Sequence, residues 1–174
     1  MKPKLILMLA AALALSPATA VESAYNQGVM AYREKDYATA RQQWSRAVEE
    51  HVRAAHNNLG YLLFFGLGGP AEPERAVGLW TIAARQGDRE AQWHLASAYE
   101  EGKGVDRDLA AAYAWYRCAQ AGFGKTPLEP GDEEIVADAN TAIARLVGLL
   151  SPDDVRTAEL LARQHIAAFP YSPE

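Results

Sequence analysis

A chain of 174 residues with 22 acidic against 17 basic side chains carries a formal net charge of −5. That balance argues against nucleic acid and anionic membrane surfaces as partners, since both call for clustered Lys and Arg. The single cysteine, Cys118, allows no internal disulfide, so the fold has to be held by packing.

The chain begins with the pattern of a secretory leader. Lys2 and Lys4 give a positive start, Leu5 to Leu15 is an apolar run of 11 residues, and Ala18-Thr19-Ala20 offers small residues at a cleavage site. The run is shorter than the roughly 20 apolar residues a bilayer span needs. Residues 1–20 are therefore expected to be a signal peptide, leaving a product with no stable membrane insertion. The periplasm is the expected location, with full secretion open.

From residue 21 the chain repeats itself. Ala40, Trp44, Ala47 and Ala55 recur 36 residues later as Ala76, Trp80, Ala83 and Ala91, and Ala111, Trp115 and Cys118 follow 35 residues after their counterparts. A period of this size marks stacked supersecondary units that share one core because none can bury its apolar face alone. The first unit, 21–54, has the spacing of a short helix-turn-helix. Small Gly28, Ala40 and Ala47 sit where two helices approach, Tyr32 and Tyr37 flank the turn 33–36, and Trp44 fills the space between. It resembles a tetratricopeptide repeat.

The second unit, 55–90, runs through Ala55, Leu59, Gly60 and Leu63 to Gly66-Leu67-Gly68, then Ala76, Trp80, Ala83-Ala84 and Gly87. The third, 91–126, runs through Ala91, Leu95, Ala96 and Tyr99 to Gly102-Lys103-Gly104-Val105, then Trp115-Tyr116, Cys118-Ala119 and Gly122. An apolar residue at every fourth position gives each first helix one buried stripe. The paired glycines allow a tight turn with positive φ, and Gly87 and Gly122 suit a glycine C-cap. These two units resemble Sel1-like repeats, the longer-looped relatives of the tetratricopeptide repeat. The resemblance implies an all-α solenoid of stacked antiparallel helix pairs.

Residues 127–174 lose the pattern. Pro127, Pro130 and Gly131 mark a loop, a helix is expected over 132–149, and Ser151-Pro152-Asp153-Asp154 reads as the start of a last helix reaching about Ala168. These helices are expected to cap the stack as a degenerate final unit, because terminal repeats need a polar outer face.

Several apparent sites dissolve on inspection. Residues 119–126 nearly spell a phosphate-binding loop, but a helix precedes them and Pro127 and Pro130 bar the helix that should follow. His51, His56, His94 and His165 lack ligand spacing and suit exposed or half-buried helix positions, so neither a metal nor a cofactor is expected. Cys118 aligns with Ala47 and Ala83 and reads as a buried packing residue. Glu100-Glu101, Asp106 and Asp108 read as solvated or capping acids. Sel1-like proteins that act on β-lactams carry a disulfide in each repeat, which this chain lacks.

The inner face of the stack is the candidate site. Superposing Gly28, Gly60 and Ala96 places Tyr25, Asn57 and Trp93 at one level, Val29, Tyr61 and Ser97 at the next, and Tyr32, Phe64 and Glu100 at a third. Arg33, Phe65 and Glu101 lie beside the last row. In the tetratricopeptide relatives these positions line the concave groove, so the resemblance implies that Tyr25, Tyr32, Arg33, Asn57, Tyr61, Phe64, Trp93 and Glu100 bind a protein or peptide partner. Tyr61, Phe64 and Trp93 should then be partly open. A non-catalytic envelope adaptor is the expected function. The alternatives are a secreted factor that binds a host protein, or a cell-wall or β-lactam-acting hydrolase using Ser97 with His94.

Overall fold

The computed structural model describes residues 17–121 and 131–168, with side chains from Ala24 onward. Among the described residues the protein is all-helical. The elements are α1 (Pro17–Arg33), α2 (Tyr37–Glu49), α3 (Arg53–Phe65), α4 (Pro73–Arg85), α5 (Arg89–Glu101), α6 (Leu109–Ala121), α7 (Asp132–Val147) and α8 (Pro152–Ala168). The apolar run of the leader lies outside the described residues, as do Gly122 to Thr126 of the phosphate-loop lookalike. Helix α1 begins at Pro17 and passes through Ala18-Thr19-Ala20.

Local chemistry sets the helix ends. The Asp36 carboxylate accepts from the Thr39 amide at 3.1 Å, Asp88 from Ala91 at 2.8 Å, and Asp108 from both Ala110 and Ala111 at 2.9 Å. Each satisfies donors that the first turn of a helix leaves orphaned. At the other end, Gly66 and Gly102 close α3 and α5 in the left-handed region, with φ of 69° and 71°, where a side chain would be strained. Two residues on, Gly68 lies against the carbonyl of Tyr37 and Gly104 against that of Pro73, each with positive φ. The glycine loop of one unit thus rests directly on the first residue of the preceding unit's second helix. A Cβ at either position would prise the units apart.

Helices pair as α1/α2, α3/α4 and α5/α6, with α2 on α3 and α4 on α5 joining the pairs into a stack. In the first two pairs a tryptophan lies over a glycine. A Cβ built on Gly60 would come within 2.6 Å of the Trp80 indole, and Gly28 meets Trp44 in the same way. Each indole N–H then donates to the carbonyl three residues before its glycine: Trp44 to Tyr25 at 3.3 Å and Trp80 to Asn57 at 3.2 Å. This buried ring, with its polar edge satisfied, is the centre of each of these two units.

The third unit keeps the 36-residue register instead of shifting to 35. The second helices begin at Tyr37, Pro73 and Leu109, so Ala112, Tyr116 and Ala119 stand where Ala76, Trp80 and Ala83 stand one unit earlier, all of them buried. Alignment on the tryptophan, which put Ala111, Trp115 and Cys118 there, is corrected accordingly. Adjacent residues point about 100° apart on a helix, so Trp115 and Cys118 face a different neighbour, α8. Trp115 stacks on His165 with ring centroids 4.2 Å apart, and the Cys118 Sγ lies 3.9 Å from the Ala162 carbonyl oxygen. Burial pushes the Cys118 thiol up to about 12, leaving it an inert packing group.

The C-terminal helices cap the stack, but not as a helix hairpin. Both α7 and α8 pack against α6 rather than mainly against each other. Ion pairs pin them: Arg89 of α5 to Asp132 of α7 at 3.1 Å, Arg145 of α7 to Glu100 of α5, and Arg117 of α6 to Glu159 of α8 at 2.9 Å. The Tyr113 hydroxyl donates to the same Glu159 at 2.7 Å. Helix α6 is therefore apolar on two faces, one for its own unit and one for α8.

Candidate functional site

The first helices of the three units, α1, α3 and α5, share a face on which aromatic rings run in unbroken contact. Tyr37 and Tyr32 meet at 5.5 Å between centroids, Tyr32 and Tyr61 at 6.4 Å, Tyr61 and His94 at 5.7 Å, and His94 and Trp93 at 5.2 Å. Phe65 branches from Tyr61 at 4.8 Å. Tyr25, Tyr32, Tyr61 and Trp93 are half-buried, whereas Phe65 is 52% exposed and Arg33 is exposed at the end of α1. Rings held by their neighbours and open on one side have the form of interface anchors, because little freedom is lost when a partner covers them.

Three of the expected groove residues serve the fold instead. Phe64, expected to be partly open, is 4% exposed and packs on Trp80 at 4.9 Å. Asn57 is buried, its amide donating to the Glu90 carboxylate at 2.8 Å. Glu100 receives both guanidinium nitrogens of Arg145 and, at 3.2 Å, the Tyr116 hydroxyl. Hydrogen bonding from Arg145 holds its carboxyl below the usual range despite partial burial. The reason is common to all three. Each meets a helix other than its own, α4 for Phe64, α5 for Asn57, and α6 and α7 for Glu100, and a position on a helix face becomes open or buried only when that neighbour is in place.

The histidines also depart from expectation. His56 and His94 are buried, and the His94 ring stacks on Trp80 at 4.7 Å, 14° from parallel. His51 lies in the turn after α2 at φ +63°, not on a helix face. The Ser97 hydroxyl donates to Glu101 at 3.1 Å, while the His94 ring is held between Trp80 and Trp93. Ser97 and His94 are thus not arranged as nucleophile and base, a pair that must share a hydrogen bond.

Sequence reasoning missed two features. Lys103, in the second glycine loop, places its Nζ 4.1 Å from the Phe64 ring centroid and 5.4 Å from that of Phe65, bringing a cation to the edge of the aromatic face. A hollow of about 250 Å³ between α2, α3 and α4, lined by Ser45, Val48, Leu59, Gly78 and Leu79 among others, is the second. Leu79, on its wall, precedes by one period Trp115, the ring that stacks on His165. A repeat signal identifies equivalent positions but says nothing of what fills them.

Comparison with known proteins bears on the whole arrangement. The family profile of the Sel1 repeat matches residues 53–88 and 89–119. The alginate biosynthesis protein AlgK of Azotobacter vinelandii is 37% identical over 94 residues, 54% of this chain and 20% of that protein. The crystal structure of c5321, a protective antigen present in uropathogenic Escherichia coli strains and displaying an SLR fold, superposes with a TM-score of 0.74 at 26% identity. It covers 86% of this chain and 30% of the antigen. A Sel1 repeat protein from Oxalobacter formigenes gives a TM-score of 0.59 at 27% identity, over 81% of this chain and 55% of the other. The chain spans about a fifth, a third and half of these relatives, respectively.

Proposed function

Because the chain is a Sel1-like repeat protein, and such proteins are generally protein-interaction modules and typically non-catalytic scaffolds, we propose that it is an envelope adaptor. It grips a peptide segment or partner helix on the face shared by α1, α3 and α5. One observation carries this reading: half-open Tyr32 and Tyr61 are in ring contact with exposed Phe65, and the contact continues through buried His94 to half-open Trp93. A periplasmic location draws support from the leader-like residues 1–20, and from similarity to a protein named for alginate biosynthesis. Among the described residues no helix is long and apolar enough to cross a membrane.

The direct test places a photo-crosslinking amino acid at Tyr32 or Tyr61 in cells, with Ile82 of α4, 44% exposed, as the control position. Specific adducts from the tyrosine positions alone are expected. Capture from Ile82 with nothing from Tyr32 and Tyr61 would overturn the docking face. A second reading, a secreted factor that binds a host protein, is favoured by the likeness to a protective antigen. Recovery of the chain in culture medium rather than osmotic-shock fluid would select it over the adaptor.

A further inference from the structure

One carboxylate on the inner side of the stack is fixed by buried side chains yet has no Lys or Arg beside it. Glu90 lies in the first turn of α5. Its side chain is 56% exposed, and its ion-pair contact among the described residues is the His94 Nε2 at 3.7 Å. The Asn57 amide reaches it from α3, donating to Oε2 at 2.8 Å. His94 and then Asn57 hold the Glu90 carboxyl below its ordinary value, so it is ionised at neutral pH. The Tyr32 hydroxyl of α1, raised first by burial, also feels this charge. Together with the Asn57 bond, this places the carboxylate on the side of α5 that looks toward α3 and α1.

The polar atoms left over at this place suit a donor. Asn57 Oδ1 and His94 Nε2 are both buried without a hydrogen-bond partner. An amide oxygen only accepts, and a ring nitrogen accepts when the proton is on Nδ1. Half-open Trp93, one helical turn from Glu90, and Tyr61, in ring contact with His94, add aromatic faces. Acceptors and rings around a fixed negative charge complement a cation that carries only N–H donors. The other charges are engaged or distant. Asp88 caps Ala91, Arg53 acts on Asp88, and Arg89 pairs with Asp132 at 3.1 Å. Arg33 closes α1 in register with Glu101, not Glu90. Lys103 follows the far end of α5, about 16 Å away and beyond the screening length of about 8 Å at physiological ionic strength.

We propose that Glu90 is the point on the docking face that receives an arginine side chain of the partner segment. The guanidinium forks onto the carboxylate that Asn57 holds in place and lies against Trp93. This rests on the docking face inferred above and names the residue that face selects. Arginine suits the site better than lysine because its planar fork gives a carboxylate two N–H bonds and stacks on an aromatic ring.

The test uses the full chain and three fluorescein-labelled twelve-residue peptides of Gly and Ser, with Phe-Arg-Phe, Phe-Gln-Phe or Phe-Glu-Phe at the centre. Binding is read by fluorescence anisotropy. The Arg peptide is expected to bind tightest and to weaken with salt. Glu90→Gln should lower its affinity about tenfold, to the level of the Gln peptide, and Glu90→Lys should transfer the preference to the Glu peptide. Glu74→Gln, the same change at an exposed position of α4, should leave the order intact. Unchanged thermal melting would show that the variants fold. Equal binding of the Arg and Gln peptides to the wild-type chain, no binding of any peptide, or an Arg preference that survives Glu90→Gln would each overturn the proposal. If Tyr61 still crosslinks in cells in any of these cases, the docking face stands without this contact; if Tyr61 captures nothing as well, both fall.

Discussion

The second and third units solve the same packing problem with different residues. In the second, Gly60 removes a Cβ so that the Trp80 indole can lie flat on α3 and bond the Asn57 carbonyl. In the third, Ala96 replaces the glycine and Tyr116 replaces the tryptophan. The slimmer phenol fits over a methyl group where an indole would collide. Its hydroxyl reaches Glu100 at 3.2 Å, and Glu100 in turn binds Arg145 of α7. A closed, self-sufficient lock has become an open one that fastens the cap. The pair of positions varies together because close-packed cores respond to single methyl groups.

Truncation of the lock should have the largest effect. Trp80→Ala is expected to lose about 3–5 kcal/mol by urea unfolding, the range for a buried aromatic removed from a core. Gly60→Ala should cost about 1–3 kcal/mol by overpacking. In the third unit, Tyr116→Trp should be destabilising alone and partly rescued by Ala96→Gly, a coupling that a double-mutant cycle would read directly. Additive effects would show that the two positions are not partners.

The fastening of the cap should be weaker and sensitive to acid. Glu100→Gln is expected to cost about 1–2 kcal/mol. In the wild-type chain Arg145 holds the Glu100 carboxyl below its ordinary value of 4.5. The stabilisation is therefore present above that pH and disappears as pH falls through the lower folded value. Hydrogen exchange across α7 should accelerate in that window, and much less so in Glu100→Gln. If α7 exchanges identically in both proteins, the ion pair does not hold it.

The smallest effect should be at α8. Burial, reinforced by Arg85, lowers His165 below its ordinary 6.5, so the folded form binds a proton less readily than the unfolded one. Docking of α8 should be complete above that pH and weaken as pH falls below it. His165→Phe, which keeps a ring against Trp115, should remove this dependence from α8 hydrogen exchange between neutral pH and pH 5.5.

Much of this was legible from residues close in sequence. The glycine turns, the Asp108 cap and the alanine and leucine stripes depend on neighbours within a few positions, where backbone geometry and helical period dictate the outcome. The docking face was legible in part: Tyr32 and Tyr61 could be placed by register, but the burial of Phe64 depends on Trp80 and that of Asn57 on Glu90. Lys103 escaped notice because a loop lysine carries no periodic signal.

By itself, the sequence determined a stack of helix pairs recurring every 35 or 36 residues, because that repeat is written in local contacts that recur. Only the tertiary structure decided which aromatic of Trp115 and Tyr116 belongs to the repeat, since both are apolar and one step apart on the same helix. The choice rests on α8, whose His165 meets Trp115 across 50 residues of chain, and on Arg145, which claims Glu100 across 45. Contacts at that separation form only when the chain folds back, and no local pattern encodes them.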